Sequence, residues 1–216
     1  MKSSASGGRE FGIASMLVYL FGPISMPMKH PYLLPLLEKF ESNTVRTKEL
    51  FSLLNIDQLN WKPSPKSWSI AQCLDHLIVS NTTYFPTFKA LASQSYKPGI
   101  WARISPFSNY LGQYLLDYTT AEGLNKGKAP SAFKPSNSTL SSDILNRFAQ
   151  HQKELRELVE RLDMWSDHEV VIPSPAAGIL TYKLNVCIQI LAQHEARHIR
   201  QAERVLSHPD FPSLDV

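Results

Sequence analysis

Four long stretches of the chain carry apolar residues at the three- and four-residue spacing of an amphipathic helix: 30–54, 69–91, 141–162 and 181–206. Ser67 or Ser69 can cap the second of these helices, and Thr181 can cap the fourth. The pattern therefore predicts an all-α protein built as a four-helix bundle. No strand pattern exceeds a few residues, although the sequence VVIP at 170–173 is expected to form a short extended piece.

Residues 93–140 connect the second and third predicted helices and show no long regular pattern. Prolines interrupt this segment, which also contains two aromatic pieces, 101–107 and 110–118. A structureless loop of this length is unusual in a compact domain. We therefore expect short helices here that cover one end of the bundle, within a long crossover between helices 2 and 3.

The first 28 residues differ from the rest of the chain. Their uncharged run, 11–28, is marginal against the ~20 apolar residues that a membrane-spanning helix needs, and its prolines lie late. No clean small-residue cleavage site marks a signal peptide. We interpret 1–28 as an N-terminal extension outside the fold, predict one domain over 29–208, and expect no membrane partner.

Composition adds only a few limits to this interpretation. The chain has 216 residues, of which 43% are hydrophobic, enough for one sizeable core. A formal net charge of +3, without a Lys/Arg cluster, gives no indication of nucleic-acid binding. Cys73 and Cys187 fall on apolar helix faces and form no CxxC pair. They fit buried thiols in a reducing compartment, which favours a cytoplasmic location.

Two histidines continue the apolar stripe of the last predicted helix. His194 and His198 stand four residues apart, about one helical turn or roughly 6 Å, which suits two ligands of one metal ion. A third ligand must come from another helix, where His76 and His151 are the remaining candidates. Charged residues surround His151, so we favour an exposed or hydrogen-bonded side chain there. Three neutral imidazoles would leave coordination positions open to water or substrate.

Two segments resemble the signatures of the DinB/YfiT-like family of metalloenzymes. They are PSPKSWSIAQCLDHL at 63–77 and HEARHIRQAERV at 194–205, and GILTYKL at 178–184 is similar to the family's entry into its last helix. The resemblance implies a four-helix bundle and a divalent ion, Zn, Ni or Fe, held by His76, His194 and His198. The aromatic crossover, 93–140, departs from the family pattern.

The resemblance also carries expectations about function. Some relatives are thiol-dependent transferases or isomerases, in which a metal activates a small thiol. The resemblance therefore implies a small-molecule substrate, such as a low-molecular-weight thiol, and a homodimer. It does not identify catalytic residues.

Two other functions remain open on the sequence alone. His194, Glu195 and His198 also fit the H-E-x-x-H pattern of metalloproteases, with Glu195 as general base. The expected downstream ligand is missing, because Arg204 stands where a third His would follow. In our interpretation Glu195 is instead a carboxylate facing solvent or orienting a ligand His. The other alternative is a bundle that binds metal without catalysis.

Overall fold

The computed structural model describes residues 31–105, 108–120, 133–135, 139–165 and 169–213. These residues are mainly helical, with one small antiparallel sheet. The predicted extension, 1–28, lies outside them, and the domain bounds 29–208 stay a prediction. The helices are α1 Leu33–Phe51, α2 Ile56–Asn60, α3 Ile70–Thr82, α4 Phe85–Ala92, α5 Ile100–Ile104, α6 Ser108–Thr120, α7 Ile144–Arg161 and α8 Leu184–Leu206. None of the helices in this described part is long and apolar enough to cross a membrane.

The second predicted helix, 69–91, is divided into α3 and α4. Ser69 caps α3 as predicted, because its hydroxyl accepts the backbone N–H of Gln72 and the Gln72 side chain accepts the N–H of Ser69. The prediction of a single long helix was wrong, because Pro86 has no N–H to donate to the carbonyl of Thr82. Pro86 instead occupies the first turn of α4, where its missing donor is tolerated.

The last helix begins three residues later than predicted, at Leu184. The predicted extended piece forms β1, Val171–Ser174, which pairs with β2, Ala177–Lys183. This second strand was not predicted, because its residues were assigned to the return loop and to the helix start. Thr181 therefore does not cap α8. It pairs with Pro173 across the sheet, and its hydroxyl bonds that of Ser108 at 2.8 Å.

Two apolar clusters stabilise the long helices, one toward each end. The first cluster lies beside the sheet and includes Leu33, Leu37, Phe40, Phe88, Leu155, Val159, Tyr182, Cys187, Ile188 and Leu191. The second lies at the opposite end and includes Phe51, Leu59, Ile70, Cys73, Leu77, Ile144, Phe148, Ile199, Ala202 and Val205. From this order, α1 and α8 run from the first cluster to the second, and α7 runs the opposite way. As predicted, both cysteines are buried and free.

The crossover contains the expected short helices, α5 and α6, but α6 does not simply cover an end. It packs along the flank of α8 and against β2. Gly112 permits this close approach, because a Cβ there would lie 3.0 Å from Val186 Cγ1 and 3.2 Å from Tyr182 Cβ. Helix α6 thus forms a side wall of the structure next to the last helix.

We expect Gly112→Leu to destabilise the protein by about 1–3 kcal/mol, the usual cost of overpacking a tight contact. The gain in helix propensity, about 1 kcal/mol, is too small to offset displacement of α6. Urea unfolding followed by circular dichroism measures the change. Gly99→Leu is the matched control, because a Cβ at Gly99 meets nothing within 4 Å. Equal stability of the two variants would contradict the close packing of α6.

Candidate metal centre

Three histidines from two helices meet beside the second apolar cluster. His76 lies on α3, and His194 and His198 lie on α8. One potential ligand atom from each residue lies within 4.8 Å of the others, and His76 Nε2 is 3.2 Å from His194 Nε2. The ring centroids of these residues are 4.4–5.0 Å apart. The three residues are called the triad below.

Hydrogen bonds orient two of the three rings. His76 Nδ1 donates to the backbone carbonyl oxygen of Phe133, in the crossover. His198 Nδ1 donates to Gln201 Oε1 at 2.9 Å. In both rings the proton is therefore on Nδ1, and the lone pair of Nε2 is left for another partner. Such bonds to the outer nitrogen are the usual means of fixing the tautomer of a metal-binding histidine.

The local environment keeps the triad neutral. Burial, together with the neighbouring His76 and Arg197, lowers the pKa of His194 to about 3. Burial also lowers the pKa of His76, against the effect of its bond to Phe133. The pKa of His198 is well below its ordinary value, first through burial and then through the other two rings. Neutral imidazoles are the form that binds metal.

The donor set and its spacing fit a divalent metal ion. A tetrahedral ion with bonds of ~2.1 Å separates two nitrogen ligands by about 3.4 Å, close to the distance between His76 Nε2 and His194 Nε2. Without a cation, the two Nε2 atoms can share a hydrogen bond only if His194 Nε2 carries the proton. The proton of His76 is on Nδ1, where it is donated to the carbonyl oxygen of Phe133. Three neutral imidazoles suit zinc, nickel or iron.

The triad lies at the margin of the buried surface of α8. His76 is 2% exposed, whereas His194 and His198 are partly exposed, so the cluster has a buried floor and an accessible side. The ring of Trp68 covers it, with its centroid 4.8 Å from that of His76 and 5.7 Å from that of His198. On another side, Arg197 donates to the carbonyl oxygen of Tyr118 at 2.7 Å. The exposed parts of His194 and His198 therefore lie on the side of the triad that faces away from the core.

Glu195 lies at the centre of the buried face of α8 and is fully buried. Its carboxylate accepts hydrogen bonds from Asn81 Nδ2 and Gln152 Nε2, both at 2.7 Å, and from Asn43 Nδ2 at 3.3 Å. These four residues are called the polar layer. The expectation of a solvent-facing Glu195 was wrong, and its three bonds are to carboxamides rather than to a triad histidine. The arrangement gives little support to Glu195 as the general base of an H-E-x-x-H site.

His151, the other candidate ligand, does not join the triad. Its ring is stacked on Phe85, with centroids 5.1 Å apart and planes inclined by 6°. The residue is 7% exposed, and its Nε2 has no hydrogen-bond partner within the described part of the chain. The prediction of an exposed or hydrogen-bonded side chain was therefore wrong as regards exposure, because His151 is buried. Burial lowers the pKa of His151 to about 4.

Several contributors to the site were not predicted from the sequence. Phe133 contributes only a carbonyl oxygen, which leaves no trace in residue type. Asn43 and Gln152 are brought to Glu195 by helix packing. Asn81 follows Leu77 and Ile78 in the second predicted helix, and a polar residue at the helical spacing of these apolar ones was the available signal.

Comparisons with known proteins identify the family of the chain. The sequence model of the DinB superfamily matches residues 39–202, which include the whole triad and the polar layer. The uncharacterized protein YuaE of Bacillus subtilis (strain 168) is 27% identical over 152 residues, covering 70% of this chain and 85% of that protein. No solved structure matches the chain significantly. Because the family match spans most of the sequence, the chain is a member of the DinB superfamily.

Proposed function

We propose that the protein binds one divalent metal ion, Zn, Ni or Fe, through His76, His194 and His198, and that the site is open to a small-molecule substrate. The observation that carries the proposal is the convergence of three neutral imidazoles, with one ligand atom of each within 4.8 Å of the others and with two of the three residues partly exposed. A site saturated by protein ligands would be structural, whereas three ligands leave room for chemistry.

Within this proposal the domain is a four-helix bundle formed by α1, α3 with α4, α7 and α8. The pairwise packing of α1 with α7 and α8, and of α3 with α7 and α8, supports that arrangement. The ligands come from two helices that touch, so the ion would bind where the second apolar cluster meets the surface.

We further propose that the protein is a metal-dependent enzyme of the thiol-dependent transferase class. When bound, the ion would act as a Lewis acid that lowers the pKa of a low-molecular-weight thiol. Two features of the chain favour such an anionic partner. Arg197 places a fixed positive charge close enough to lower the pKa of His194 and His198. Trp68 covers the triad on one side and limits the entry of water there.

We also propose a cytoplasmic location and a homodimer for this protein. A cytoplasmic location is supported by the two free, buried thiols. A homodimer and the thiol itself are supported by the family resemblance. A peptidase is less well supported than a transferase, because the Glu195 carboxylate is engaged by Asn43, Asn81 and Gln152.

Elemental analysis of untagged protein tests the metal, and a thiol titration then tests the class of reaction. We expect close to one equivalent of metal per chain. After exchange to cobalt, a small thiol should produce a sulfur-to-cobalt absorption band in the near ultraviolet. A chain that takes up neither zinc, nickel nor iron would contradict metal binding. Metal binding without the thiol band would contradict only the thiol-dependent chemistry.

A further inference from the structure

The polar layer separates the two apolar clusters on α1, α3, α7 and α8. Asn43 follows Phe40 of the first cluster on α1 and precedes Phe51 of the second. Gln152 on α7 and Glu195 on α8 occupy the same boundary on their helices. Asn81 lies near the end of α3, between the second cluster and the aromatic residues that begin α4. One buried polar residue from each helix therefore meets the others at a single level.

Glu195 is the residue to which the others bind. It is 0% exposed, and Asn81 and Gln152 are 0% and 1% exposed. A carboxylate removed from water is costly unless donors surround it, and here three carboxamide NH₂ groups do so. Within the described part of the chain, Asn81 Oδ1 and Gln152 Oε1 have no hydrogen-bond partner. The orientation of both carboxamides is therefore dictated by their bonds to Glu195.

These bonds fix the axial position of α8. A shift of α8 by one turn, about 5.4 Å, would move the carboxylate away from its three donors and into apolar surroundings. Apolar contacts alone tolerate small shifts far better, because they have little directional preference. Buried polar groups are known to define register in this way in helical assemblies.

The same bonds act directly on the geometry of the triad. Glu195 is next to His194 and three residues before His198 on one continuous helix. Asn81 is on α3, the helix that carries His76. The bond between Asn81 and Glu195 therefore joins the two helices whose relative position decides whether the three ring nitrogens converge.

We propose that Glu195 is a positioning residue for the metal site, which acts by holding α8 against α1, α3 and α7 through the polar layer. It binds no metal and takes no part in the reaction. The inference rests on the proposed metal site. It differs from direct orientation of a ligand ring, because the three bonds described for Glu195 are to carboxamides and not to the triad.

Replacing Glu195 by Leu or by Gln distinguishes this role from others. Glu195→Leu removes every bond of the layer, and we expect zinc affinity to fall by about 10- to 100-fold, as for other supporting residues of metal sites. Glu195→Gln keeps the length of the side chain. Rotated carboxamides of Asn81 and Gln152 can present their unused oxygens to its NH₂ group. We expect the zinc affinity of this variant to stay within about threefold of that of the wild type, because the hydrogen bonds are kept although the charge is lost.

Leu37→Ala is the matched control for loss of stability. Leu37 lies in the first apolar cluster, away from the triad, and its truncation costs about 2–5 kcal/mol without touching the layer. We expect zinc affinity to be unchanged in this control. Equal losses in Leu37→Ala and Glu195→Leu would mean that stability alone moves the affinity, which overturns the proposal. Equal losses in the Gln and Leu variants would show that charge is what matters, which also overturns it.

Two further measurements keep the test decisive. If Glu195→Leu does not fold, Asn43→Ala can be used instead. It removes one hydrogen bond to Glu195, from a helix that carries no triad residue. Zinc affinity should then fall by a few-fold, and wild-type affinity would overturn the proposal.

In the metal-free protein, NMR should show single ring resonances for His194 and His198 in wild type and broadened or doubled ones in Glu195→Leu. If wild type itself binds no metal, the proposed function fails as well, whereas a failure confined to the variants concerns the positioning role alone.

Discussion

Replacing His194 by alanine is expected to abolish stoichiometric metal binding. His194 Nε2 is 3.2 Å from His76 Nε2, and alanine leaves only two nitrogens for the ion. Loss of a direct ligand should cost more than the ~100-fold that loss of a supporting residue can cost. Elemental analysis after dialysis, supported by calorimetric titration with zinc, measures the effect. We expect metal content near zero at micromolar protein.

His151→Leu is the control for that experiment. His151 is also a buried histidine on a long helix, but it is stacked on Phe85 and lies outside the triad. We expect this variant to retain full metal content. If His194→Ala bound as much metal as His151→Leu, the proposed ligand set would be wrong.

The same His151 is expected to make the protein less stable in acid. Burial lowers its pKa to about 4, below the value near 6.5 of the unfolded chain, and the nearby Glu154 opposes this shift only in part. The neutral ring is therefore favoured in the folded state. Its contribution to stability is fully present above about pH 6.5 and is lost as the pH falls from there toward 4.

The expected loss between pH 7 and pH 4 is about 3 kcal/mol from this residue. Urea unfolding of wild type and His151→Leu at several pH values measures it. The leucine variant should lose that much less free energy of unfolding over the range, because it has nothing to protonate at this position. Chelator in all samples removes any contribution from bound metal. Parallel pH curves for the two proteins would contradict a buried, neutral His151.

The last helix shows what the sequence could predict. Leu184, Cys187 and Leu191 stand at helical spacing in the stretch 181–206, and all three are buried, because local periodicity reflects a buried face directly. The four-residue spacing of His194 and His198 likewise requires neighbouring rings on one helix. Spacing could not choose between His76 and His151, since both lie on inner stripes. The family resemblance favoured His76, the one that joins the cluster.

What the sequence did not predict depends on contacts between distant segments. Strand β2 exists because β1 is there to pair with it, and a short run such as GILTYKL gives no local sign of that partner. The polar layer depends on which faces of the helices meet, so Asn43 and Gln152 could not be connected to Glu195 in advance. The bond from His76 to the Phe133 carbonyl depends on the path of the crossover backbone.

The two cysteines give the protein a pair of natural reporters of local opening. Cys187 belongs to the first apolar cluster and Cys73 to the second, and both are 0% exposed. Burial raises the pKa of the Cys73 thiol to about 12 and that of Cys187 above its ordinary range, so neither reacts readily in the folded state. An alkylating reagent should therefore modify each thiol only when its own half of the molecule opens. Site-resolved labelling rates would show whether the two halves come apart together or one before the other.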